Sequence, residues 1–193
     1  GSQIEKIKNL NKESFNKVFD KNIYENLKTV KDNDSVLDLG CSQGFFYFKN
    51  REKNINYIGI DCNSKCLKEF CDNLNPEDNP TLINAQISNG NQVCAIKPSC
   101  LDAENKFVSS LSFKKALELH KEKINFLKFD LEGDERMVLQ DAENLKLIKE
   151  KVKSFSGKIY LNCSDWDKQD CLEIIRQLSK DEDFYIKLYS EES

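Results

Sequence analysis

The chain predicts an α/β fold, a doubly wound and mostly parallel sheet of six or seven strands with helices on both faces. Three segments predict it. Ser35-Val-Leu-Asp-Leu-Gly40-Cys-Ser-Gln-Gly44 is an apolar run closed by an acid and a glycine loop. Tyr57-Ile-Gly-Ile-Asp61 repeats the pattern one strand later, placing a second acid about twenty residues after the loop. Asn125-Phe-Leu-Lys-Phe-Asp130-Leu-Glu132-Gly133-Asp-Glu135 is a third apolar run that ends in acids and opens a helix. In an open α/β sheet, ligands bind beyond the carboxyl ends of the strands, so Asp38, Asp61 and Asp130 are expected to face one crevice.

The elements follow in order. Residues 3–30 read as one or two amphipathic helices, with Ile4, Ile7, Leu10, Phe15, Val18 and Phe19 at helical spacing. They are expected to form a helical cover, residues 1–30, over the sheet or the crevice of a single domain spanning residues 31–193. Strands are predicted at 35–39, 55–60 and 81–87, with Asn89-Gly90 as a turn and Val93 to Ile96 as a hairpin arm. Lys97 to Ser112 has no clear pattern. A helix near 112–121 leads into a fourth core strand at 124–130, and a further helix covers 134–151. Lys158-Ile-Tyr-Leu-Asn162 is the predicted fifth strand, Asp165 caps a helix to Leu178, and Phe184 to Tyr189 is a closing strand. A chain of 193 residues suits one α/β core better than two domains. The Gly1-Ser2 start reads as an expression remnant.

The loop spacing discriminates among adenosine cofactors. A dinucleotide loop reads G-x-G-x-x-G, because its middle glycine lets the backbone approach a pyrophosphate. Here the spacing is Gly40-x-x-x-Gly44, followed by Phe45 and Phe46. S-adenosylmethionine has no phosphate and suits this looser turn, with Asp38 near its methionine ammonium and Asp61 accepting from the ribose hydroxyls. Gly40, Cys41, Ser42 and Gly44 of the loop, Cys62 after Asp61, Gln86 on the third strand and Asp130 complete the expected cofactor-binding set. The plainer explanation is that α/β turns need small residues and that acids often flank strands; Asp61 at the right distance weighs against it.

These residues resemble the FkbM-type S-adenosylmethionine-dependent methyltransferases, a Rossmann-like family. Lys128-Phe-Asp130-Leu-Glu132-Gly133-Asp-Glu135 is similar to that family's K-I-D-x-E-G-x-E signature, and the following Met137-Val-Leu resembles the start of its helix. Leu82-Ile-Asn-Ala-Gln-Ile-Ser88-Asn-Gly90 resembles the third-strand region. The chain departs from the family where Cys41-Ser42 replaces Ala-Asn, where Asp61-Cys62 replaces Glu-Pro, and where Ser110-Leu111-Ser112 lacks the acid of T-L-D. The resemblance covers about residues 35 to 165. It implies O-methylation of a sugar hydroxyl, on a glycan or a nucleotide-sugar derivative, or of a small natural product.

Methyl transfer from a sulfonium is an in-line displacement, so the protein supplies orientation and electrostatics. For a hydroxyl acceptor a nearby base helps remove the proton, and Asp130 and Glu132 are the catalytic candidates. The competing assignment has Asp130 binding the methionine end and Glu132 capping the next helix. His120, the sole histidine, is placed at the amino edge of the sheet as a solvent-facing helix residue, away from the chemistry. Asp165 and Trp166 follow the fifth strand on the crevice side, where Trp166 lines an acceptor pocket or simply packs. Two other readings stay open: a nicotinamide-dependent oxidoreductase, disfavoured by the loop and by the lack of a Tyr-x-x-x-Lys pair, and a catalytically silent cofactor-binding subunit.

Composition narrows the partners. The net charge is −4, from 29 Lys and Arg against 33 Asp and Glu, and the lysines are interleaved with acids and asparagines, which argues against nucleic acid. No apolar run is long enough to span a membrane, and no signal-peptide pattern precedes the first motif, so a cytoplasmic location is expected. The eight cysteines are expected to be reduced thiols. Cys62, Cys66 and Cys71 lack the paired spacing of a zinc site, and no metal is expected. Oligomeric state is not legible.

Overall fold

The structure, a computed structural model, describes residues 2–89, 108–132, 134–158 and 168–180. Helices α1 (Gln3–Leu10) and α2 (Lys12–Phe15), the latter running into a π-helical turn at Asn16–Asp20, precede the sheet. Then come β1 (Ser35–Leu39), α3 (Phe45–Asn50), β2 (Asn56–Asp61), α4 (Ser64–Asp72), β3 (Thr81–Ser88) and β4 (Ser109–Ser112). The remaining elements are α5 (Phe113–Glu118), β5 (Ile124–Phe129), α6 (Glu135–Leu139), α7 (Ala142–Lys151), β6 (Val152–Gly157) and α8 (Lys168–Ser179).

Among the described residues the strands form one six-stranded sheet in the order β4-β3-β2-β1-β5-β6, every pairing parallel. The order reverses at β1, which pairs with β2 on one side and β5 on the other, so the switch point lies at the carboxyl ends of β1 and β5. The doubly wound, Rossmann-like α/β class predicted from sequence is the observed one.

Strand alternation sorts side chains onto two faces. Leu37, Leu39, Ile58, Ile60, Leu127 and Phe129 enter one core with α5, α6, α7 and α8. Val36, Tyr57 and Phe126 enter the other, an aromatic-rich core built with Phe15, Phe45, Phe46, Phe48 and Phe70 from the helices of the opposite face. The same alternation puts Asp38 and Lys128 on the aromatic side, in register with each other on β1 and β5.

Several boundaries differ from expectation. The strand at 124–130 is fifth in chain order, because the short polar segment Ser109–Ser112 forms β4 beside β3. The helix expected over 134–151 is two helices: Asp141 interrupts it in an extended conformation and its carboxylate accepts from the Glu143 N–H at 2.9 Å, capping α7. The strand that pairs with β5 is Val152–Gly157, which was not predicted: the chain passes directly from α7 into extended backbone at Val152. Beyond Lys158 the strand predicted at 158–162, together with Gly90, the 93–96 arm, Asp165, Trp166 and the 184–189 strand, lies outside the described residues.

His120 does sit at the amino edge, but it is 3 % exposed and not solvent-facing. Helix α5 ends at Glu118, and the following turn tucks the imidazole under the sheet, where Nε2 lies 2.8 Å from the Val36 carbonyl. The reduced-thiol expectation is corrected at Cys62, which is disulfide-bonded, whereas Cys41, Cys66 and Cys71 are free. Spacing within the 62–71 cluster carried no information about that pairing. Among the described residues no helix is long and apolar enough to cross a membrane, and no group of three His, Cys, Asp or Glu side chains is placed to hold a metal ion.

Candidate functional site

A cavity of about 280 Å³ opens at the carboxyl ends of β1, β2, β3 and β5. Its walls bring together Gly40, Cys41, Ser42, Asp61, Cys62, Gln86, Asp130 and Glu132 of the predicted set. Gly44 and Asp38 are not among the lining residues.

Local backbone explains the loop. Gly40 has φ +83°, and a Cβ there would lie 1.7 Å from the Asp130 carbonyl oxygen, so only glycine lets the β1 loop close against the end of β5. Gly44 has φ +87° and abuts the Phe70 ring, which fixes how α3 enters. Ser42 and Glu132 also adopt positive φ, 49° and 52°, a conformation that non-glycine residues adopt at a cost and that concentrates at ligand sites.

Asp61 closes β2 with both carboxylate oxygens oriented by main chain: Ser42 N–H donates to one and Asn63 N–H to the other, each at 2.8 Å. Burial nevertheless lifts its carboxyl above the usual range, the two N–H donors only partly offsetting it. Cys66, in the first turn of α4, has its thiol pushed up to about 11, first by burial and then by the Asp61 charge, which disfavours the thiolate.

Asp38 lies beneath the floor, 0 % exposed. Its Oδ2 accepts the Tyr57 hydroxyl at 2.5 Å, and its Oδ1 is 3.1 Å from Lys128 Nζ. Lys128 also donates to the Gly40 carbonyl at 2.8 Å, and its ammonium stands 4.9 Å from the centre of the Tyr24 ring. Burial by itself would drive the Lys128 ammonium down, but Asp38 and then Asp130 outweigh it and hold it above the usual lysine range. The buried base is therefore charged and paired.

Several lining side chains were not anticipated. Ser14, Lys17 and Tyr24 come from the segment before β1, and Tyr24 donates its hydroxyl to Asp130 Oδ2. Only the amphipathic pattern of residues 3–30 hinted at this wall. Lys128 stands inside a quoted motif, yet its role depends on register with Asp38, which no local pattern reveals. Chemically the cavity offers a fixed carboxylate at β2 suited to vicinal hydroxyls, and carboxylates at the β5 end suited to a cation.

No protein-family model matches the chain, and no curated protein sequence matches it. Two solved structures are similar to it in part. One is a fibrillarin/Nop5p complex, 13% identical with a TM-score of 0.49, covering 81% of this chain and 65% of that one. Another is an S-adenosylmethionine-dependent methyltransferase from Clostridium acetobutylicum ATCC 824, 16% identical with a TM-score of 0.37, covering 80% of this chain and 50% of that one. The chain thus spans less than two thirds of the length of either structure. At these identities and TM-scores neither likeness bears on activity.

Proposed function

We propose that the chain binds S-adenosylmethionine in this cavity and is a methyltransferase acting on a hydroxyl acceptor. One observation carries the reading: Asp61, aimed by two backbone N–H groups at the end of β2, shares a switch-point cavity with a two-glycine loop that lacks a pyrophosphate cradle. The residues fit the cofactor. The volume of about 280 Å³ lies just under the roughly 300–1,000 Å³ typical of ligand pockets. Of the lining residues, Asp61 would hold the ribose diol, Gln86 with Ala85 and Ile87 would flank the base, and the acids at the β5 end would face the cationic centre.

The bound cofactor would supply an electrophilic methyl group, and the protein's share is placement and charge. Ser42 and Asn63 keep Asp61 in position, Gly40 admits the loop, and of the carboxylates at the β5 end of the cavity, Asp130, Glu132 and Asp134, the first two are proposed to take the hydroxyl proton. The resemblance to FkbM-type enzymes supports a sugar hydroxyl or a small natural product as acceptor. Residues 1–30 are proposed as the cover of the site. Calorimetric titration of S-adenosylmethionine and of NAD into the full chain tests the reading. Saturable binding of the methyl donor alone, lost in Asp61→Ala, is expected; binding of NAD, or of neither, overturns it.

A further inference from the structure

A disulfide stands in the cavity wall directly beside Asp61. Cys62 lines the cavity and is disulfide-bonded, and its partner is none of Cys41, Cys66 and Cys71, which are free. Cys62 is also the pivot of the segment that aims Asp61. Before it, the Asp61 carbonyl accepts Asn84 Nδ2 at 3.0 Å. After it, the Asn63 N–H turns back to Asp61 Oδ1 at 2.8 Å, and the Asn63 side chain accepts the Cys66 N–H at 3.0 Å, capping α4. The backbone torsions of Cys62 lie between the Asp61 carboxylate and its Asn63 donor. A covalent tether on the Cys62 side chain restricts those torsions, and breaking the tether restores their freedom.

The bond is placed where it can be opened. Cys62 is half-buried and borders the cavity, the setting of accessible, reducible disulfides more than of enclosed structural ones. The nearby thiol is poorly suited to open it unaided. Cys66 lines the same cavity, but burial and the Asp61 charge favour its protonated form, and a thiol attacks a disulfide only as the thiolate. Opening therefore calls for an outside reductant.

We infer that the Cys62 disulfide is a redox latch on the cavity: oxidised, it holds the turn at residues 61–63, and reduced, it lets the turn open and weakens ligand binding at Asp61. Opening takes two electrons and two protons from a dithiol. One thiolate attacks the disulfide, the second thiol of the reductant displaces the mixed disulfide, and the chain is left with two thiols and the reductant with an internal disulfide. The latch on the turn stands without the cofactor reading; its effect on S-adenosylmethionine rests on that reading.

The full chain equilibrated with oxidised glutathione, then reduced with dithiothreitol, then reoxidised, tests it. Non-reducing peptide mapping of the oxidised chain is expected to recover Cys62 linked to another cysteine of the chain; a Cys62 that forms no such link overturns the inference. On reduction, hydrogen exchange of residues 61–66 is expected to quicken about threefold or more, and calorimetric binding of S-adenosylmethionine to weaken about fivefold, both reversed on reoxidation. Cys62→Ser is expected to match the reduced chain and to lose the response to dithiothreitol. A lower Tm with unchanged exchange at 61–66 would make the disulfide a plain staple and overturns the inference, as does unchanged affinity for a bound methyl donor or an undiminished response in Cys62→Ser. Faster exchange with no methyl-donor binding in either state overturns the cofactor reading and leaves the latch on the turn.

Discussion

Tyr57 lies across Gly59: a Cβ at Gly59 would stand 2.8 Å from both Cε1 and the hydroxyl oxygen of the Tyr57 ring. The missing side chain lets the ring, 1 % exposed, extend along its own strand toward Asp38, whose register partners are Gly59 on β2 and Lys128 on β5. Gly59→Ala is expected to push the ring aside, lose the Tyr57 hydroxyl from Asp38, and cost about 2 kcal/mol or more. An unchanged urea midpoint would show that the ring has room to move.

Lys128→Met leaves the Asp38 carboxylate buried without its counter-ion. Loss of one partner of a buried pair costs about 3–5 kcal/mol, whereas replacing both charges is far milder. The double variant Asp38→Asn/Lys128→Met is therefore expected to be more stable than Lys128→Met alone by at least about 1 kcal/mol. Denaturant titrations of the four chains of this cycle give the coupling; additive losses would mean that the pair is not the unit described.

Gly40→Ala meets two obstacles at once, a positive φ and a carbonyl oxygen 1.7 Å from the new Cβ. Either the loop or the end of β5 must shift, so loss of ligand binding and a stability cost of about 3 kcal/mol are expected. Ligand affinity within a few-fold of wild type would refute the close approach.

Burial lowers the His120 imidazole below its ordinary 6.5, with Lys151 adding to the effect and the Val36 carbonyl opposing it. The unfolded chain therefore binds this proton first. Stability is expected to be complete above about pH 6.5 and to fall as the pH drops below that value toward the folded-state titration. Urea midpoints between about pH 5 and 8, compared with those of His120→Asn, measure the slope; the same slope in both chains would assign it elsewhere.

Much of the site was legible because it is built from strand ends. An apolar run closed by an acid has one placement in a parallel sheet, so β1, β2 and β5 were located closely from their own residues, β3 from its alternation alone, and Asp61 and Asp130 fell on one cavity. What escaped depends on relations between distant segments. Ser109–Ser112 and Val152–Gly157 are polar strands supported by a neighbouring strand more than by their own pattern, and no glycine or proline separates Lys151 from Val152. The burial of Asp38 needed Tyr57, Gly59 and Lys128 in register. His120 was given the right edge and the wrong exposure, since a turn after a helix can fold inward as readily as outward.

The bond from Tyr24 to Asp130 joins residues 106 positions apart in the chain. If a ligand draws on both, docking of the N-terminal segment and occupancy of the cavity are one linked equilibrium, and each favours the other by the same factor. A bound ligand then acts as a clasp, slowing proteolysis of residues before β1 while leaving distant loops untouched. Conversely, anything that pulls this segment away, such as a bulky fusion or a competing partner, would loosen the ligand without touching the sheet.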